Sequence, residues 1–252
     1  MGASAKDVQK LLGGMPNSRA KQISKQITIN FLKNELFKFL LKSDEIDKLV
    51  RLFQFHNEQN LLDLYYKKKP AIIVYSHLGT NLASTVGLYK LGIRVFIIQP
   101  RNYFNHTKLI DFLQTPNIHG RKNTPYILKN AYNHLENNGF VLISVDGFVG
   151  ESAIWLNFLQ RKYPFQRGIA SLHRLTGAPI IPVSVEWTDK NNLIDFIVHD
   201  QITVPPSRKI SAIKFDELVT TKIAKWLEEK IVSTPHQIRL NQLSKYLFRS
   251  QS

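Results

Sequence analysis

The run Ala71-Ile72-Ile73-Val74-Tyr75 constrains this chain more than any other stretch, because it leaves no polar face for water. A strand apolar on both sides belongs inside a sheet covered on both faces, the habit of parallel sheets in α/β proteins. Ser76-His77-Leu78-Gly79 follows at once. From Thr80 to Leu91 the apolar residues Leu82, Ala83, Val86 and Leu88 then fall at three- and four-residue spacings, which predicts a helix. A strand end running into a helix start is where an α/β sheet gathers its chemistry, outside the carboxyl edges of its strands.

The same rhythm continues downstream. Strands are predicted over 94–99, 140–145, 180–187 and 193–198, with helices near 108–113, 126–136 and 168–175. Two helices, from about Phe215 to Val232 and from about His236 to Phe248, close the chain. Strands separated by helices predict an α/β fold, with a mostly parallel central sheet and helices on both faces. A chain of 252 residues buries one substantial core. The expected organisation is therefore an N-terminal helical segment over residues 1–70 and an α/β domain over 71–252, forming one compact unit.

Residues 1–17, with Gly2, Gly13, Gly14 and Pro16, read as a loose lead-in. From Ser18 to Lys42 a helix is expected, since Ile23, Ile27, Phe31, Leu32, Leu36, Phe39 and Leu40 recur at helical steps among Lys21, Lys25, Lys33, Lys38 and Lys42. Two readings fit this helix: an interfacial helix on an anionic bilayer, or a helix packed on the domain with a solvated basic face. Ser43-Asp44-Glu45 predicts the start of a second helix, an N-cap followed by acids, running through Phe53 and Tyr65 to Lys67-Lys68-Lys69-Pro70.

Charge narrows the partners. Thirty-four Lys and Arg against nineteen Asp and Glu give +15, a surface that attracts anionic partners. No zinc-finger or RNA-recognition signature accompanies the basic residues, so nucleic acid is not the expected partner. An acidic carrier protein or an anionic membrane surface is. The absence of cysteine excludes disulfides and fits a reducing compartment. Residues 1–16 lack the apolar core of an export signal, and the longest apolar runs are about five residues where a membrane span needs ~20. A soluble or peripheral protein is the expectation.

The candidate catalytic residues are His77 and Asp146. Each follows a short apolar strand and precedes a glycine-containing turn. If both strands run parallel in one sheet, both side chains lie along one carboxyl edge, and a histidine beside a carboxylate is the minimum for general-base catalysis. A structural histidine and an Asp-Gly turn fit the same residues. Arg101, Arg121, Lys122, Arg161 and Arg167 fall in segments after or between strands, where arginine forks suit phosphate or carboxylate. Gly168 would let backbone amides approach an anion at a helix N-terminus. Candidate substrate-binding residues are Gly79, Asn81, Arg101, Arg121, Arg167 and Gly168. The backbone amides near Gly79 are candidate oxyanion donors.

His77, Arg121, Asp146-Gly147, Phe165-Gln166-Arg167-Gly168-Ile169-Ala170 and Thr176-Gly177-Ala178-Pro179-Ile180-Ile181-Pro182-Val183 together resemble the bacterial lipid A biosynthesis lauroyl and myristoyl acyltransferases, within the wider lysophospholipid acyltransferase group. The tail segments Leu227-Glu228-Glu229-Lys230-Ile231 and Pro235-His236-Gln237-Ile238-Arg239 are similar as well. The resemblance implies a three-layer α/β fold. It also implies acyl transfer from a thioester of acyl carrier protein or coenzyme A, with no other cofactor and no metal. The family signature is a histidine with an acid five positions on. His77 matches the histidine, but Leu82 stands at the acid's position.

Three outcomes follow from that substitution. Asp146, or next Glu151, takes over the acid's role; or His77 acts alone on an amine or an enzyme-bound thiol; or the chain binds an acyl carrier protein or anionic lipid without turning it over. No counterpart of the family's transmembrane anchor is evident, which suggests a cytoplasmic protein peripheral on the inner membrane face, or a soluble acceptor such as a carrier-tethered metabolite.

Overall fold

The structure, a computed structural model, describes residues 3–43, 45–98, 109, 112–113, 124–147, 153–188, 193–204 and 210–248. In chain order the elements are α1 (Ala5–Leu12), α2 (Asn17–Lys42), α3 (Ile46–Leu49), β1 (Phe53–His56), α4 (Gln59–Tyr66), β2 (Ala71–Tyr75), α5 (Ala83–Lys90), β3 (Val95–Ile98) and α6 (Thr124–Glu136). There follow β4 (Phe140–Ser144), β5 (Ala153–Phe158), β6 (Arg161–Gln166), α7 (Gly168–Thr176), β7 (Ile180–Trp187), β8 (Ile194–Val198), α8 (Ala212–Ser233) and α9 (Leu240–Phe248).

Six strands form one sheet in the order β1-β8-β7-β2-β4-β3. The four strands β7, β2, β4 and β3 run parallel, whereas β8 pairs antiparallel with β7 and β1 pairs parallel with β8. The central strand β2 is buried at every position, and its alternation divides the core. Ile72 and Val74 point into a cluster with residues of α6, α7 and α8, while Ala71, Ile73 and Tyr75 point into a second cluster with residues of α2, α3, α4 and α5. Apolar residues on both faces of one strand thus require two helical layers, and the fold is the three-layer α/β arrangement expected.

Three segments differ from their sequence reading. The lead-in contains α1, whose N-cap Ser4 accepts from the Asp7 amide at 3.1 Å. Val8 packs there against Ala20, Ile23 and Ile27 of α2. The expected second helix is broken: α3 and a 3₁₀ turn at Val50–Leu52 give way to β1, an edge strand registered with Phe53 opposite Ile194. Segment 1–70 therefore contributes a strand to the central sheet. Finally, β5 and β6 form an antiparallel hairpin that pairs Ala153 with Gln166 and Phe158 with Arg161. Its two-residue turn, Leu159-Gln160, has both φ angles positive (50° and 62°), as a type I′ hairpin turn requires. Most of the helix expected at 108–113 lies outside the described residues.

The apolar residues of α2 do not form one stripe. Asn30, Asn34, Phe37 and Leu41 are buried on the inward face, whereas Leu32, Leu36 and Phe39, offset by about half a turn, are exposed, Leu32 at 63% and Phe39 at 65%.

Candidate active site

β2 and β4 are neighbours with Tyr75 opposite Ser144. His77 and Asp146, each two residues past the paired strand end, are thereby delivered to the same edge of the sheet. The ladder continues one step, with the Val145 amide donating to the Tyr75 carbonyl at 2.8 Å. At the next step a side chain replaces the backbone: the His77 amide donates to the Asp146 carboxylate at 3.0 and 3.1 Å. The His77 ring closes the contact, with Nδ1 2.8 Å from Oδ1. Asp146 is fully buried, while 21% of the His77 side chain is exposed.

Two further groups reach this carboxylate from α9. The Tyr246 hydroxyl donates to Oδ2 at 2.5 Å, and Gln242 donates from Nε2 to the Asp146 carbonyl at 3.0 Å. Burial acts to raise the Asp146 pKa, but the His77 charge and the hydrogen bonds from His77 and Tyr246 outweigh it and hold the carboxyl below its ordinary range. An ionised Asp146 fixes the His77 proton on Nδ1 and leaves the lone pair on Nε2. Nε2 has no hydrogen-bond partner among the described residues. That is the tautomer a general base needs.

Gly79 sits at φ +53°, and a Cβ there would meet the Val185 carbonyl oxygen at 1.9 Å. Its amide donates to the Gln237 carbonyl at 2.7 Å, and the Thr80 amide donates to Val185 at 3.2 Å. Both amides are committed within the protein, so the turn's own glycine is a conformational requirement rather than an oxyanion donor. Its carbonyl accepts from Asn34 Nδ2 of α2 at 3.0 Å. Asn81, two residues on, accepts through Oδ1 from Nη1 of Arg239.

The remaining sequence candidates divide. Arg101, Arg121, Lys122 and Glu151 lie outside the described residues. Arg167 sets its Nε 3.7 Å from Asp216 Oδ2 of α8, a buried carboxylate that also accepts from Ser171 at 3.0 Å and from Nε of Arg174 at 2.9 Å. Gly168 makes room for α6: a Cβ would stand 3.0 Å from Leu128 Cδ2. Arg161 opens β6 and donates to the Leu247 and Lys10 carbonyls at 2.8 and 3.2 Å, tying α9 and α1 to the hairpin. Leu82 is 9% exposed and belongs to the apolar cluster on the α2–α5 face of the sheet.

Sequence reasoning did not single out Asn34, Gln242 or Tyr246. Gln237 and Arg239 stand in the quoted tail segment without a role. Asn30 and Asn34, four residues apart inside an apolar helix, are the one local signal available, because buried amides in a helix face need partners. Among the described residues no group of three His, Asp or Glu converges as a metal-ligand set.

The family model for bacterial lipid A biosynthesis acyltransferases matches residues 20–239, from α2 to the segment that contacts the His77 turn. A search of curated proteins finds no match. With a model matching most of its length, the chain belongs to the bacterial lipid A biosynthesis acyltransferase family.

Proposed function

We propose that this chain transfers an acyl group from a thioester of acyl carrier protein or coenzyme A to a hydroxyl or amine acceptor, with His77 as general base. The 2.8 Å contact between His77 Nδ1 and Asp146 Oδ1 carries the reading. Nε2 removes the acceptor proton as its oxygen or nitrogen attacks the thioester carbonyl. The tetrahedral intermediate collapses, the C–S bond breaks, and the imidazolium returns the proton to the departing thiolate. Asp146 holds the ring and balances the imidazolium charge. Asn81 and Arg239 are the polar side chains beside that turn, placed to hold an anionic part of donor or acceptor. The sequence candidates Arg101 and Arg121 would serve the same anion-binding role.

The surroundings suit a lipid or carrier-bound substrate. No described helix is long and apolar enough to cross a membrane. The exposed Leu32, Leu36 and Phe39 share α2 with exposed Arg19, Lys21, Lys25 and Lys42, the composition of an anionic membrane surface contact. The net charge of +15 would steer an acidic carrier protein towards the chain at low salt. A peripheral position on the cytoplasmic face of the inner membrane follows from this reading.

Leu82 favours a second reading, a relative that binds acyl carrier protein or anionic lipid without turnover. Incubation with acyl-loaded carrier protein or acyl coenzyme A and a panel of acceptors separates the two. Transfer by the parent and loss in His77→Ala supports the first; equal turnover in His77→Ala ends it. Carrier binding at micromolar strength with no transfer to any acceptor establishes the second.

A further inference from the structure

The acid that the family signature places five residues after the histidine is absent from this chain, and the carboxylate that does reach His77 is itself held from a distant element. Oδ1 of Asp146 is occupied by His77 and Oδ2 by the Tyr246 hydroxyl, 100 residues further along the chain. A carboxylate that orients a histidine through one oxygen must not rotate about χ2. Tyr246 blocks that rotation by engaging the other oxygen at 2.5 Å. The phenol cannot easily leave, because its ring packs edge-on against Phe158 and Tyr163, with centroids 5.6 and 5.5 Å away. Gln242, one turn earlier on α9, fixes the Asp146 backbone through its carbonyl.

The rest of the C-terminal segment is keyed to the histidine side of the same site. The Gln237 carbonyl takes the Gly79 amide, Ile238 bridges to Leu78, and Arg239 holds Asn81. Residues 237 to 246 thus contact both catalytic turns at once. A purely structural C-terminal helix would dock by apolar packing alone. Here a buried hydroxyl and a buried amide are each spent on the one aspartate that touches His77.

We propose that Tyr246 is a positioning residue for the reaction: by holding Oδ2 of Asp146 it fixes the carboxylate, and through it the His77 ring, supplying the restraint that Leu82 cannot. The proposal rests on the reading of His77 as general base.

The test is Tyr246→Phe in the full chain, beside Phe165→Leu, which disturbs the same aromatic cluster through Phe158 and Tyr163, and beside His77→Ala. Tyr246→Phe should lower kcat about tenfold or more, the effect of one charge-assisted hydrogen bond, with KM within about twofold. It should also move the acid limb of kcat against pH upward, since a carboxylate with one donor fewer holds a proton on the pair more tightly. Phe165→Leu should lose thermal stability and leave that limb in place. A readout independent of turnover is the ¹⁵N spectrum of the His77 ring, in which the parent keeps its proton on Nδ1 and Tyr246→Phe populates the other tautomer. An unchanged ring spectrum in Tyr246→Phe overturns the proposal whatever the rate does. Equal turnover in His77→Ala overturns the general-base reading instead.

Discussion

Asn34, in the middle of α2, donates from Nδ2 to the carbonyl of Gly79 at 3.0 Å, two residues beyond His77. Its Oδ1 accepts from the Trp187 indole nitrogen at 2.9 Å, and the Trp187 backbone exchanges two hydrogen bonds with the Gln237 side chain at 3.1 and 2.8 Å. The helix whose outer face exposes Leu32, Leu36 and Phe39 is therefore fastened by its inner face to the turn that carries His77. Replacing Asn34 by Leu orphans the Trp187 N–H and the Gly79 carbonyl inside the protein. The expected cost is about 1–3 kcal/mol in urea unfolding, with a fall in activity as the turn loosens. Unchanged unfolding would mean the amide is not holding the turn.

The same attachment shapes the membrane test. Removing α2 would remove Phe37 and Leu41 from the core along with the exposed face, so loss of binding would be uninformative. The triple variant Leu32→Ser, Leu36→Ser, Phe39→Ser alters only exposed positions and should leave the melting temperature within a few degrees. Co-sedimentation with vesicles containing about one-third anionic lipid should fall by more than about tenfold, since ~0.8 kcal/mol is lost per buried methylene withdrawn from the bilayer and each of the three side chains loses several carbons. Equal sedimentation of variant and parent rules out this face as the contact.

Much of this geometry was legible in the sequence, for identifiable reasons. The unbroken apolar run of β2 and the equivalent placement of His77 and Asp146 after their strands follow from local pattern, and a parallel pairing puts them on one edge. The hairpin β5–β6 was not legible, because its I′ turn uses Leu159-Gln160 in place of the Asn-Gly or Asp-Gly that marks such turns. β1 was missed because Val50 and Phe53 fall at a helical spacing while Phe53 and Phe55 alternate, and four residues do not decide between the two periods. The partners from α9 were out of reach altogether. Tyr246 lies 100 residues from Asp146 and shares no local pattern with it.

Gly79→Ala tests how far the His77 turn depends on glycine. At φ +53° an alanine is strained, and its Cβ would collide with the Val185 carbonyl at 1.9 Å, an atom fixed in the sheet. The turn must rearrange, breaking the hydrogen bond from the Gly79 amide to the Gln237 carbonyl. A loss of at least ~2–3 kcal/mol and of nearly all transfer activity is expected. Wild-type circular dichroism and thermal midpoint in Gly79→Ala would contradict this geometry.

Leu82→Glu restores the residue type of the family signature but not its function here. Leu82 packs in the apolar cluster on the α2–α5 face, whereas Tyr246, which holds the His77 partner, belongs to the cluster on the other face. His77 Nδ1 is already bonded to Asp146. A glutamate at 82 would therefore enter an apolar site without a vacant orienting contact, at a cost of about 2 kcal/mol or more. Turnover should not rise above the parent's. A gain of tenfold would show that the acid missing at position 82, not Asp146, limits transfer.

The acid response of stability should come in two windows with different owners. His199, beside Ser184 Oγ at 2.9 Å, is pushed down to about 4 by burial and then by the nearby Lys230 charge. A histidine whose folded pKa lies below its unfolded value of 6.5 binds its proton more readily when unfolded. Its contribution therefore favours the fold above pH 6.5 and is lost as pH falls from there to about 4, by up to about 3 kcal/mol. Asp146 behaves as a depressed carboxylate: its contribution is present above its unfolded value, near 3.8, and is lost only as pH falls below that through its lower folded value. Urea unfolding across pH 3–7 should then show His199→Gln reducing the slope of the upper window, where His134, also lowered by burial, keeps a share, and leaving the lower one. Asp146→Asn should do the reverse, and should also cut turnover ~10²–10⁴-fold by removing the negative charge behind the imidazolium. If His199→Gln leaves the slope between pH 6.5 and 4 unchanged, the buried neutral histidine is not what makes the fold acid-sensitive there.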